Sequence, residues 1–404
     1  MKKLLFVYDN MCTGGTTTAL LSLLNKLDYN RFSVDLLLFR NEGPFLNQIP
    51  EQVNLLKPAY RPILSPRIPM KYWKMLVFAL NGGFFRALCS YFRHRGTPKG
   101  IFRNILMHQA VRAQVALSSK VETNYDAAVG FIEGWSDHYV LSGKVKAEKK
   151  IAWIHPDYAD SYLLPEVDCK VLAKADYIVV VSDACKATMQ RSFPELSHRV
   201  CAIENIISAE YIKTRSMEQE IVLPGKYLNL GTVCRCDMQV KGLDRILESL
   251  GRLKEMGLLR EVKWHLVGDG KDMNRVKEMV SAKGLEDHVV LWGHSDNPLP
   301  ILRKMDAFLL ASRYEGKPVA VSEALCLGVP CIVTNYVSAH EQVKHGRNGL
   351  VTDNSADGVL DALKQILTDR TVLATLKQGA KDEKYDNLDA LEKIYAILGE
   401  NNGI

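Results

Sequence analysis

Short apolar runs alternate with helix-like patterns along almost the whole chain. Residues 4–8, 34–39, 127–132, 151–155, 177–182 and 200–204 form a first series of such runs. After a polar interval, residues 228–233, 263–267, 289–292, 307–311, 331–334 and 349–352 form a second. Continuous apolar strands separated by helical patterns predict parallel sheets covered on both faces. Two series predict an α/β chain of two Rossmann-like, doubly wound domains. The boundary is expected at residues 206–226, which are polar, weakly periodic and end in Pro224-Gly225. This gives an N-terminal domain over 1–205, a linker over 206–226 and a C-terminal domain over 227–385. Residues 386–404 then hold a last helix pattern, expected to pack back toward the N-terminal domain.

A length of 404 residues suits two domains, and 47% hydrophobic with 24% charged residues is the composition of a globular protein. Nine cysteines, an odd number without CxxC spacing, favour reduced thiols in a cytoplasmic protein over a disulfide framework. Cys234 and Cys236 form a CxC pair, but no second pair or nearby histidine completes a zinc set, so no metal is expected there. The apolar run at the N-terminus stops at Asp9, too early for a signal peptide. Residues 75–92 are the most lipid-like, yet Asn81, two glycines and Arg86 interrupt them, so no bilayer span is expected.

The net charge of +6 conceals an asymmetry. Between Glu51 and Glu122 there is no acidic residue, while twelve Lys or Arg occur there, among them Arg93, Arg95, Lys99 and Arg103. The rest of the chain therefore sums to −6, since +6 minus +12 is −6. Trp73, Phe84, Phe85, Tyr91 and Phe92 are interleaved with these cations. Basic and aromatic residues together read as a surface for anionic headgroups. No nucleic-acid recognition module surrounds them, so nucleic acid is not an expected partner.

In open parallel sheets, ligands bind beyond the carboxyl ends of the strands. After the first strand, Gly14-Gly15 opens a helix, which suits either close approach to an anion or a tight turn. After the seventh predicted strand stands Arg235, and Lys241-Gly242 opens the next helix. A guanidinium and an ammonium six residues apart suit a diphosphate, although two surface cations would give the same spacing. Gly268 and Gly293-His294 close two further strands and could wall a nucleotide base. The densest constellation is residues 312–324 (SRYEGKPVAVSEA), where Glu315 lies in a loop and Glu323 in the helix that follows Pro318. Backbone amides around Gly316, Lys317 and Val319, with two carboxylates, can bind several hydroxyls. The plainer alternative makes Glu315 a helix cap and Glu323 a solvated residue. Glu323 stands among apolar neighbours, though, where an unpartnered carboxylate is costly. In the N-terminal half, Glu133 and His155 each end a strand, and His155 is either structural or part of a site.

These residues, in this order, resemble family 4 of the retaining glycosyltransferases, which have the GT-B fold of two Rossmann-like domains facing a cleft. Glu315 and Glu323 match its E-x7-E motif, Arg235 and Lys241 its diphosphate clamp, Gly15 its N-terminal glycine loop, and His155 a histidine of the facing domain. The resemblance covers most of residues 227–352, but the N-terminal half only at the glycine loop and the strand of His155. It departs at Lys317, where the family has Phe, which puts a cation beside the sugar.

The resemblance implies a metal-independent transferase without a cofactor, the nucleotide-sugar being a substrate. Arg235 and Lys241 would hold its diphosphate and Glu323 its ribose. Glu315, with the amides of residues 316–319 (Pro318 lacking an N–H), would bind the sugar, and His155 would reach that sugar as well. The expected acceptor is a lipid-linked surface glycan of the capsule or lipopolysaccharide kind. The expected location is the cytoplasmic face of the membrane, held peripherally. A sugar-phosphate phosphorylase, a nucleotide-sugar epimerase and a non-catalytic glycan-binding scaffold are the alternatives on the same fold.

Overall fold

The computed structural model describes residues 1–59, 99–159, 165–223 and 225–399. Strands β1 Lys2–Tyr8, β2 Phe32–Leu38, β3 Val53–Leu55, β4 Asn124–Gly130, β5 Lys146–Ile154, β6 Tyr177–Val180 and β7 Val200–Ala202 form one sheet, ordered β3-β2-β1-β4-β5-β6-β7. Strands β8 Leu228–Val233, β9 Val262–Val267, β10 Val289–Gly293, β11 Ala307–Leu310, β12 Cys331–Thr334 and β13 Gly349–Thr352 form a second, ordered β10-β9-β8-β11-β12-β13. Every pairing in both is parallel. The two doubly wound sheets agree with the expected fold class.

Helices cover the strands because the strands are apolar on both faces. In the second sheet Trp264, Leu266, Leu309 and Ile332 pack under helix Leu243–Glu255. That helix buries Leu243, Ile246, Leu247, Leu250 and Leu253, the spacing of one helical face. A buried polar chain ties three strands: the Trp264 indole donates to Thr232 Oγ1 at 2.9 Å, and Thr232 donates to the Leu309 carbonyl at 2.7 Å.

The strand order reverses between β1 and β4 in the first sheet and between β8 and β11 in the second. At such switch points the connections leave in opposite directions and open a crevice at the carboxyl ends. Parallel strands put all their following loops at that one end. Residues 234–241 and 311–317 therefore lie beside each other without any special sequence device.

By contacts the chain divides into two units. The first holds Met1–Cys12, Leu23–Ile203 and Asp389–Ile404, and the second Thr13–Ser22 and Glu204–Leu388. Two boundaries differ from the sequence expectation. Residues 206–226 are not a bare linker, because helix Ala209–Arg215 forms there, capped by Ser208, and counts with the second unit. The start of helix Gly15–Leu24 also counts with the second unit. The terminal helix Ala390–Ile397 counts with the first, where the Tyr395 hydroxyl accepts from the Asp28 N–H at 3.2 Å and Arg31 lies 4.7 Å over its ring.

Of the basic segment, Arg93 and Arg95 lie outside the described residues. Of Lys99 and Arg103, only the helix that carries them, Lys99–Leu117, is described. Among the described residues no helix is long and apolar enough to cross a membrane.

Candidate active site

Three loops of the second sheet, after β8, β9 and β10, are stitched together at its carboxyl end. Cys234 N–H donates to the Val267 carbonyl at 3.1 Å, Cys236 to Asp269 at 2.9 Å, and Gly268 to Gly293 at 2.7 Å. The approach is close enough that Gly268, at φ +138°, is obligatory: a Cβ there would stand 1.9 Å from the Cys234 carbonyl oxygen. The two glycines singled out from sequence are thus partners in one layer.

Lys241 ends the short helix Met238–Lys241, and Gly242 turns the chain left-handed (φ 61°, ψ 30°) into the next helix. The Lys241 ammonium meets Glu315 Oε1 at 2.5 Å, and Ser312 donates to the same oxygen at 2.6 Å. Both contacts fall on Oε1, so Oε2 accepts no hydrogen bond among the described residues. The Glu315 side chain is 11% exposed.

The scaffold beneath is a set of charged and amide braces. Arg313 forks onto Asp244 with contacts of 3.0 and 2.6 Å and donates to the Met238 carbonyl at 2.6 Å. It thereby joins the loop after β11 to both helices flanking Gly242. Gln342 donates to the Pro318 carbonyl at 3.1 Å and to Ser322 at 3.0 Å, fixing the entry to helix Val319–Cys326. Among the described residues no side chain caps that helix, and the Val321 N–H turns back to the Pro318 carbonyl at 3.2 Å.

Glu323 is half-buried on the same helix. No hydrogen bond reaches its carboxylate among the described residues, and burial pushes the group up to about 7. Arg235, in the loop after β8, is exposed, with no hydrogen bond from its guanidinium among the described residues. Gly15 lies in the same unit, placed so that a Cβ would sit 3.7 Å from Val319. His294 joins this group too, with Nε2 3.3 Å from Thr13 Oγ1 and 2.9 Å from Asp296.

Lys317 departs from its expected surroundings. Its ammonium is paired with Glu204 at 2.5 Å and its side chain is only 10% exposed, so its charge is met by a carboxylate of this chain. Glu204 also lies 3.5 Å from Asn387 Nδ2, which donates to the Asn205 carbonyl at 2.8 Å.

In the first unit His155 follows β5 directly, 8% exposed. Its Nε2 is 3.0 Å from the Phe131 carbonyl, and its ring stacks on Trp153. Burial lowers it to about 4, so the imidazole is neutral. With Nε2 donating to a carbonyl, Nδ1 is the acceptor. Glu133 Oε2 accepts the His155 backbone N–H at 3.3 Å, and burial raises the Glu133 carboxyl.

Sequence reasoning missed Arg313, Asp244, Gln342 and Glu204 as structural partners. Asp244, two residues beyond Gly242, was the one with a positional signal.

Residues 216–383 match the family model for Glycosyl transferases group 1. The chain is 24% identical to the putative glycosyltransferase EpsF of Bacillus subtilis over 409 aligned positions, covering 99% of this chain and 96% of that protein. It is 29% identical to the UDP-Gal:alpha-D-GlcNAc-diphosphoundecaprenol alpha-1,3-galactosyltransferase of Escherichia coli over 145 residues, 35% of this chain and 37% of that protein. The chain spans 35% to 37% of the length of three curated relatives that it matches. Among solved structures, HepE of Anabaena in complex with UDP and glucose superposes with a TM-score of 0.69 at 15% identity, over 99% of this chain and 100% of that one. Fold, strand-end site and family match together define the class: a chain of GT-B fold whose second unit carries the group 1 glycosyl transferase match.

Proposed function

We propose that this protein is a retaining glycosyltransferase that moves a hexose or N-acetylhexosamine from a nucleotide-sugar, UDP-linked rather than GDP-linked, to a growing lipid-linked surface glycan. The observation that carries the reading is the switch-point cluster of the Lys241–Glu315 pair, the exposed Arg235 and the unpartnered Glu323. It lies within the residues that match the family model. The donor is supported by HepE, solved with UDP and glucose, and the acceptor by the name of the Escherichia coli relative.

Lys241 keeps two further N–H donors beside the one on Glu315, and Arg235 keeps all of its own. Together they neutralise a departing diphosphate. Glu323 accepts from ribose hydroxyls, and Glu315 Oε2 with the amides of Gly316, Lys317 and Val319 takes the sugar. Pro318 lacks an N–H and serves by starting the helix. Gly268, Gly293 and His294 line the base. His155 offers Nδ1 to a sugar hydroxyl. Catalysis then rests on positioning and on stabilising the leaving group, without a metal at the diphosphate.

The test is the release of free UDP from a panel of UDP-sugars with and without a lipid-linked acceptor. Release only with acceptor, a product of unchanged anomeric configuration by NMR, and turnover indifferent to added Mg²⁺ or Mn²⁺ are expected. Sugar interconversion without acceptor would make it an epimerase, and phosphate-dependent cleavage a phosphorylase. Failure to bind UDP or GDP in calorimetry would make it a scaffold.

A further inference from the structure

Away from the donor loops, three helices of the first unit bring His108, His138 and Asp168 together. They come from Lys99–Leu117, Trp135–Leu141 and Pro165–Leu172, and are 7%, 6% and 3% exposed. One ligand atom from each lies within 4.8 Å of the other two. His108 Nε2 is 3.5 Å from Asp168 Oδ1, and the imidazole centroids are 6.0 Å apart. The other Asp168 oxygen accepts from the Tyr158 hydroxyl at 3.0 Å.

An ordinary buried ion pair accounts for only part of this arrangement. One carboxylate oxygen facing His108 leaves the His138 ring with no hydrogen bond among the described residues, at more than nine-tenths burial. A buried polar group without a partner costs about 1–3 kcal/mol, a cost that a bound ion would offset. Burial also lowers both imidazoles, His138 to about 4. Arg112 and Lys174 act in the same direction on His138. Burial raises the Asp137 carboxyl, with Glu133 and Asp168 acting in the same direction.

We propose that His108, His138 and Asp168 bind one borderline divalent cation, zinc or a first-row neighbour, that staples the three helices together. Two imidazoles and one carboxylate are a ligand set for such ions, with a water completing the shell. Tyr158 is the outer partner that orients the ligating carboxylate. Ligand atoms on a tetrahedral zinc stand roughly 3.3 Å apart, from the ~2.0 Å bonds of such sites, so the side chains close by about an ångström or so on binding. None of its residues takes part in the proposed donor binding, and its role is structural. Helix Trp135–Leu141 begins two residues after Glu133, the carboxylate that accepts the His155 backbone N–H, so a bound ion also steadies that loop.

The experiment uses the full-length protein, stripped with chelator and desalted under reducing conditions. Zn²⁺, Co²⁺ and Mn²⁺ are then titrated by calorimetry, with bound metal counted by mass spectrometry. One equivalent is expected on wild type, with a rise in Tm of several degrees. His138→Ala and Asp168→Asn are expected to weaken that binding at least tenfold and to abolish the Tm shift, with helical circular dichroism retained. Tyr158→Phe is expected to weaken it less. Absence of a tight equivalent on folded wild type overturns the proposal. So does an equivalent that survives both ligand substitutions, since the ion would then sit elsewhere, for instance on the cysteines. If the variants do not fold, wild type alone decides: Co²⁺ bound through nitrogen and oxygen gives no sulfur-to-metal charge-transfer band, and such a band would assign the ion to thiolates. Glycosyl transfer is not a readout, so failure here leaves the proposed reaction untouched.

Discussion

Glu323 shows what one carboxylate without a partner does to a protein. Its folded-state value of about 7 lies above the ordinary 4.5, so between those values the native state holds a proton that the unfolded chain has released. Stability therefore falls as pH rises through that window, the reverse of a salt-bridged acid. Glu323→Gln is expected to melt higher than wild type near about pH 8 and to converge with it near about pH 5, by thermal unfolding across that range. The same substitution is expected to weaken UDP binding, because it replaces one of two carboxylate acceptors for the ribose hydroxyls by a donor and removes the charge. Lys241→Ala tests the Lys241–Glu315 pair and is expected to lower turnover by about a hundredfold or more with folding intact. Near-wild-type turnover would remove Lys241 from the diphosphate. At this scale the sequence pointed to single residues but not to the partners that hold them. The apolar neighbours of Glu323 foretold its isolation, whereas the Lys317 charge was read as facing the sugar when Glu204, 113 positions away, meets it. Such a pairing has no local signal.

Elements were more legible than their ends. Strands β8, β12 and β13 coincide with the apolar runs, because a parallel strand buried on both faces is apolar throughout. Strand β3 was missed: its three residues Val53, Asn54 and Leu55 form an edge in which only Val53 is buried. Helix Ala209–Arg215 was missed because it is two turns long and mostly polar outside Ile212. What no periodicity reveals is how the loop after β11 is held against the helices around Gly242. Arg313 does this through its fork on Asp244 and its bond to Met238. Arg313→Lys keeps the charge but loses the planar fork. It is expected to lower stability by about 1 kcal/mol or less, since the pair is about a third exposed. Its larger effect should fall on kcat, because Lys241 stands at the end of the helix whose carbonyl Arg313 holds. A variant that lost stability with kcat unchanged would make the brace structural only.

For the whole molecule, charge distribution carries the remaining expectation. Twelve cations and no acids lie between Glu51 and Glu122, against a net −6 elsewhere, with aromatics among the cations. The lipid-linked acceptor proposed above would have to be met at a membrane surface, and among the described residues no helix is long and apolar enough to cross one. We therefore propose peripheral attachment of this segment to an anionic leaflet, at the cytoplasmic face. Each cation near such a surface contributes about 1 kcal/mol, so even four or five facing it suffice for reversible binding. The attraction is screened beyond about a Debye length, near 10 Å at 0.1 M salt, so attachment must weaken as salt rises. Flotation with vesicles of neutral lipid, and of neutral lipid mixed with phosphatidylglycerol, measures this directly. Recovery is expected with the anionic vesicles alone, falling with added salt and lost when Arg93, Arg95, Lys99 and Arg103 are all changed to Glu. Equal recovery on both vesicles, or binding that survives the fourfold change, would leave an ordinary basic surface and an acceptor met in solution.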